Sequence, residues 1–78
     1  MARWEPVRCR IPELLIRIGK SRAWLSEKSG VSRQRISDYV NMRNRIIMSL
    51  PTAKMFSEIL ECEINELYEW VDNGIGGE

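Results

Sequence analysis

Gly30 falls between two segments that can each form only about two turns of helix, too short to persist alone in water, so the fold must pack them together. The first runs from Arg22 to Ser29 behind Ser21, whose hydroxyl suits an N-cap, and turns Leu25 and part of Trp24 inward. The second opens behind another capping serine, Ser32, and runs from Arg33 to about Val40. Its apolar stripe is Ile36, Tyr39 and Val40, at the i, i+3, i+4 spacing of one helix face. Gly30 supplies the positive φ that so tight a turn wants, and Val31 plugs the space beneath it.

The remaining elements follow from the same periodicity. Ile11, Leu14, Leu15 and Ile18 define a helix with Pro12 near its start and Gly19 just past its end. Residues 41–49 form a connection that begins polar and basic and ends apolar, and Ser49 before Leu50-Pro51 opens a further helix burying Ala53, Phe56, Ile59 and Leu60. Ile64, Leu67, Tyr68 and Val71 give the last helix, with Glu66 in its first turn. No strand is expected. The sequence therefore predicts an all-α domain over 11–71, a compact five-helix bundle, with an N-terminal arm over 1–10 and a flexible glycine-rich tail over 72–78. A chain of 78 residues has room for one such core.

Composition excludes several classes of function. The chain has no histidine, so no Ser-His or Cys-His nucleophile pair can form, and the commonest transition-metal ligand is missing. Cys9 and Cys62 are not in a CxxC arrangement and cannot complete a four-ligand zinc site; they are expected as reduced thiols. The glycines at 74, 76 and 77 precede no helix that could hold a phosphate. Neither an enzyme, a metal nor a cofactor is expected. No apolar run approaches the roughly 18 residues of a membrane span, and a cytoplasmic protein is expected.

The net charge of +1 conceals a segregation. Residues 1–45 carry eleven Lys/Arg against four Asp/Glu, whereas residues 46–78 carry one lysine against seven acids. The basic half suits a polyanion and the acidic half must point away from one. The first turn of the Arg33 helix reads Arg33-Gln34-Arg35, although a helix N-terminus is partly positive and favours acids. A nucleic acid facing that turn reverses the argument, because Arg pairs with guanine O6 and N7 and Gln with adenine N6 and N7. Two short helices about a glycine are also the helix-turn-helix geometry, here spanning 22–41, whose second helix enters a major groove. Arg22 on one side, with Asn41, Arg43, Asn44 and Arg45 on the other, would bracket that groove and meet phosphates.

The run Leu25-Ser-Glu-Lys-Ser-Gly30-Val-Ser-Arg-Gln-Arg-Ile36-Ser-Asp-Tyr resembles the helix-turn-helix of the Cro/cI-type (XRE) regulators, and the likeness extends over residues 11–70. The resemblance implies the lambda-repressor-like fold and a sequence-specific double-stranded DNA-binding regulator, a repressor of phage or mobile-element origin. It places Arg33, Gln34 and Asp38 at base edges and Arg22, Ser32, Asn41, Arg43 and Arg45 on the DNA backbone; the residues' own pattern adds Arg35 and Ser37 to the base-facing set and Asn44 to the backbone set. Asp38 either accepts from cytosine N4 or orients Arg35. Three positions depart from the family pattern: Ser26 stands where alanine is usual, Tyr39 where a small aliphatic is, and Met42 where glycine is common.

So small a module contacts too little DNA for high specificity, so a homodimer on a palindromic operator is expected. Its interface would use the last two helices, with Tyr68, Trp70 and Val71. Trp4 and Trp70 either join that interface or complete the core. The arm at residues 1–10 is either disordered or lays Arg3 or Arg8 in a minor groove. A different class of function is also compatible with the pattern: an interaction module, antirepressor or antitoxin-like, that keeps the fold but binds a regulatory protein partner through its acidic half.

Overall fold

The computed structural model describes residues 3–73. Strand β1 (Trp4–Cys9) leads into helices α1 (Ile11–Ile18), α2 (Arg22–Ser29), α3 (Arg33–Asn41) and α4 (Leu50–Ile59), and strand β2 (Tyr68–Asp72) closes the chain. Single 3-10 turns at Arg43–Arg45 and Ile64–Leu67 join the later elements. The three expected serine caps are in place: Ser21, Ser32 and Ser49 accept from the backbone N–H groups of Trp24, Arg35 and Thr52. Leu14, Leu25, Ile36, Phe56, Leu60 and Leu67 are fully buried, so every helix contributes to one core.

Two expectations about the chain ends are corrected. Residues 4–9 of the N-terminal arm form β1 where no strand is expected, and residues 68–72 form β2 instead of the end of a fifth helix; the two pair antiparallel, with Trp4 opposite Asp72 and Cys9 opposite Tyr68. Helical spacing does exist over Ile64–Val71, yet only one 3-10 turn forms, closed by a reciprocal Glu63/Glu66 capping box. Beyond it, Tyr68, Trp70 and Val71 are strong strand formers, and β1 supplies the ladder partners that a helix would have supplied internally. Val7 has no partner of its own in the register, and this bulge follows Pro6, which has no N–H to give the ladder. Beyond the ladder, the Arg3 N–H donates to Asp72 Oδ1 and the Asn73 side-chain amide donates to Glu5. Arg8 is held by Glu13 of α1 and Glu69 of β2. Most of the expected tail, residues 74–78, lies outside the described residues.

Tyr68 is buried, and its hydroxyl accepts from the Met48 N–H at 3.1 Å, tying β2 to the connection ahead of α4. Burial pushes the phenol above its ordinary pKa. Tyr68→Phe orphans that amide and is expected to cost about 1–3 kcal/mol in urea unfolding; a change below a few tenths would show the bond to be dispensable.

The Arg8 hydrogen bond, with help from Arg10, holds the Glu13 carboxyl below the usual carboxylate range. A depressed folded-state value means that Glu13 stabilises the fold above its unfolded value and loses this as pH falls through the folded one. Stability should therefore fall on acidification below about pH 4.3, and less steeply in Glu13→Gln. Parallel acid-denaturation profiles for the two chains would contradict this.

Candidate nucleic-acid interface

The interface is built on the turn between α2 and α3. Gly30 adopts φ 76°, the left-handed conformation, and its N–H closes α2 onto the Ser26 carbonyl at 2.9 Å. Nothing lies within 4 Å of where a Cβ would sit, so the backbone angle rather than space selects glycine here. Ser26 bridges the turn, its hydroxyl donating to the Val31 carbonyl at 2.7 Å, while the Ser29 hydroxyl accepts from the Val31 N–H at 3.1 Å. An alanine at position 26 could not form the first bond. Val31 packs against the core, as expected of a plug beneath the turn.

Packing then sets the orientation of α3. Ile36 and Tyr39 are buried, and the Tyr39 ring meets Phe56 edge to face at 6.3 Å. With that side inward, Gln34 lies opposite the buried stripe, and Asp38, Asn41 and Ser37 follow it along the outer side. Arg33 and Arg35 are exposed to either side of Gln34. The outward face holds two i, i+4 hydrogen bonds: Gln34 Nε2 donates to Asp38 Oδ1 at 3.1 Å, and Asn41 Nδ2 donates to Ser37 Oγ at 3.3 Å.

Of the two roles open to Asp38, the contact with Arg35 is not formed. The Arg35 guanidinium lies over the Tyr39 ring, 5.9 Å from its centroid, and Asp38 is engaged by Gln34 and by Arg43 Nε at 3.4 Å instead. Arg43 comes within reach because the chain reverses after α3: Met42 (φ 51°), Asn44 (φ 54°) and Arg45 (φ 61°) all adopt positive φ. The left-handed turn at Met42 accounts for glycine being common there in the family it resembles. Asn44 and Arg45 remain exposed, as do Arg22 at the start of α2 and Ser32 at the cap of α3. Ser32 uses its oxygen to accept from the Arg35 N–H, which leaves the hydroxyl proton for an outside acceptor.

The structure thus brings Arg22, Ser32, Arg33, Gln34, Arg35, Ser37, Asp38, Asn41, Arg43, Asn44 and Arg45 onto the elements of one helix-turn-helix and its trailing loop. It does not leave the three residues expected at a dimer interface equivalent. Tyr68 belongs to the core, while Trp70 is 39% exposed with its indole N–H donating to the Asn65 carbonyl, and Val71 is half-buried. Lys20 was not anticipated. It is exposed beside the N-cap of α2 and lies over the Trp24 ring at 5.4 Å, so it adds positive charge next to Arg22; the sequence signal was a lysine four residues before a tryptophan at a helix start.

Charge pairing separates this face from the rest of the surface. Among the described residues, seven cations lie from Lys20 to Arg45, and of these only Arg43 reaches a carboxylate within 4.0 Å. Outside that segment Arg8, Arg10, Arg17 and Lys54 are all paired with glutamates. Neither α2 nor α3 has an acid in its first turn, whereas α1 has Glu13 there. An exposed set of uncompensated cations at two helix N-termini is suited to phosphate.

Comparison with known proteins agrees with this geometry. The Cro/C1-type HTH DNA-binding domain matches residues 10–73, and the chain belongs to that family. It is 40% identical over 67 residues, 86% of this chain and 82% of the relative, to the SPbeta prophage-derived uncharacterized HTH-type transcriptional regulator YotL of Bacillus subtilis (strain 168). It is 37% identical over 70 residues, 90% of this chain and 93% of the relative, to the regulator YopS, named in the same terms, of the same strain. No solved structure matches the chain. Membership in a DNA-binding family favours DNA over a protein as the partner of this face. Among the described residues no helix is long and apolar enough to cross a membrane.

Ser26→Ala removes the hydroxyl that bridges the turn and is expected to lower stability by about 0.5–1.5 kcal/mol, read from the urea midpoint. An unchanged or raised midpoint would mean that the turn is held by Gly30 and the Leu25–Ile36 packing alone.

Proposed function

We propose that this protein is a transcriptional repressor of prophage type that binds an operator as a homodimer and blocks transcription by occupying it. The observation carrying the DNA-facing assignment is the set of cations from Lys20 to Arg45 left almost without carboxylates while Arg8, Arg10, Arg17 and Lys54 elsewhere are paired with glutamates. The relatives named as prophage-derived transcriptional regulators support the regulatory role. In this reading α3 enters the major groove with Arg33, Gln34 and Arg35 at base edges and Ser37 and Asp38 on the next turn. Arg22, Ser32, Asn41, Arg43, Asn44 and Arg45 hold phosphates on either side.

The second copy is needed because one module of this size covers too little DNA for specificity. Its contacts would fall on exposed aromatic surface, with Trp70 and Trp4 as anchors and Tyr68 behind them in the core. No group in this arrangement is assigned a catalytic role.

The test is fluorescence anisotropy of a labelled duplex titrated with the protein between about 50 and 200 mM salt. Log affinity should fall linearly with log salt, and Arg22→Ala and Arg45→Ala should each flatten the slope by about one while weakening all sequences alike. Arg33→Ala and Gln34→Ala should relax sequence preference with folding intact. Absence of binding at the low-salt end, or slopes that neither arginine variant changes, would overturn the assignment.

A further inference from the structure

The outward face of α3 carries one acid among its cations, and its contacts define what it does. Asp38 is partly enclosed, its side chain 17% exposed, and receives Gln34 Nε2 at 3.1 Å and Arg43 Nε at 3.4 Å on the same oxygen, Oδ1. A carboxylate can only accept, so it holds the nitrogen of the Gln34 amide and repels the oxygen. The flipped amide, with Oε1 toward Asp38, would set two acceptors against each other.

We propose that Asp38 is a specificity-determining positioning residue: it fixes the polarity of the Gln34 amide and thereby sets which base Gln34 prefers. The inference rests on the groove-facing reading of α3 given above. With Nε2 anchored on the side toward residue 38, Oε1 and the second Nε2 hydrogen are presented to the groove in one order only. A bidentate pairing with adenine needs an acceptor opposite N6 and a donor opposite N7, in the order that the base dictates. An amide free to rotate offers both orders and discriminates less. Arg43 completes the device by supplying a positive charge to the carboxylate, which lets an acid stay on a face that must approach phosphates.

The same pair could serve only to stabilise α3 through an i, i+4 contact, or Asp38 could act as a bare negative charge. The experiment separates these roles. Duplexes selected from a random library by the full-length parent protein are compared with those selected by Gln34→Ala, Asp38→Asn, Asp38→Glu and the Gln34→Ala/Asp38→Asn double variant, each checked for folding by circular dichroism. Asn can donate as well as accept and so permits the flipped amide; Glu keeps the charge but displaces the oxygen.

The expected result is that Gln34→Ala abolishes preference at one base pair and that both Asp38 variants relax it at that same pair. There a discrimination of roughly tenfold or more falls severalfold, and the double variant adds nothing to Gln34→Ala. A change at a different base pair would make Asp38 a base reader in its own right and overturn the proposal. A uniform gain in affinity for all sequences with Asp38→Asn, absent in Asp38→Glu, would show a bare charge and overturn it too. Gln34→Ala that leaves every position unchanged would refute the groove-facing reading itself, an outcome distinct from failure of the Asp38 variants alone.

Discussion

Ile36 and Tyr39 can leave water only if the opposite side of α3 faces it, and this one burial decides which side chains of α3 are turned outward. Ile36 is packed out of solvent and Tyr39 is set edge-on against Phe56 of α4, so rotation of α3 about its axis would expose both. Gln34, Ser37, Asp38 and Asn41 are thereby placed outward, with arginines on either side. The turn at Gly30 sets the separation of α2 and α3, and the Ser26–Val31 bond bridges it. Core packing, local turn chemistry and the outward face of α3 are in this sense one problem: the side chains that hold the fold together aim the ones exposed on that face.

The helices were readable because their signals are local. Capping serines at 21, 32 and 49, the glycines at 19 and 30 and the 3.6-residue stripes all act within a few residues of the bonds they determine, and each boundary they mark falls where the structure has it or within a residue. The sheet was not readable for the opposite reason. Trp4 and Asp72 are neighbours only after the whole domain has closed, and neither segment alone carries a strand pattern stronger than its competing one. Ile64, Leu67, Tyr68 and Val71 do share a helical face, and the pairing available from β1 overrides it.

The site shows the same division. Its membership along α2 and α3 follows from spacing, but the partner of Asp38 does not. From the sequence Arg35 was a candidate at i−3, and in the fold Arg35 is drawn to the Tyr39 ring while Gln34 at i−4 takes the carboxylate. Arg43 reaches it through a reversal with Met42, Asn44 and Arg45 in the left-handed region. Each side chain there costs roughly 1–2 kcal/mol relative to a relaxed backbone, less for asparagine. Strain of this kind persists where the surroundings over-determine it, and here it places two arginines and an asparagine just past the end of α3. The charge segregation along the sequence likewise takes shape only in three dimensions, where glutamates neutralise the cations of β1, α1 and α4 and, among the described residues, leave those from Lys20 to Arg45 without a carboxylate except for Arg43.

Whether that uncompensated face is where DNA sits is answered most directly by amide chemical-shift mapping of the labelled protein with a short duplex at low salt. The account predicts perturbations concentrated at residues 20–24, 32–38 and 41–45, with the acidic segment 58–66 unchanged. Perturbations centred on 58–66, or on the sheet formed by the chain ends with α3 silent, would contradict it.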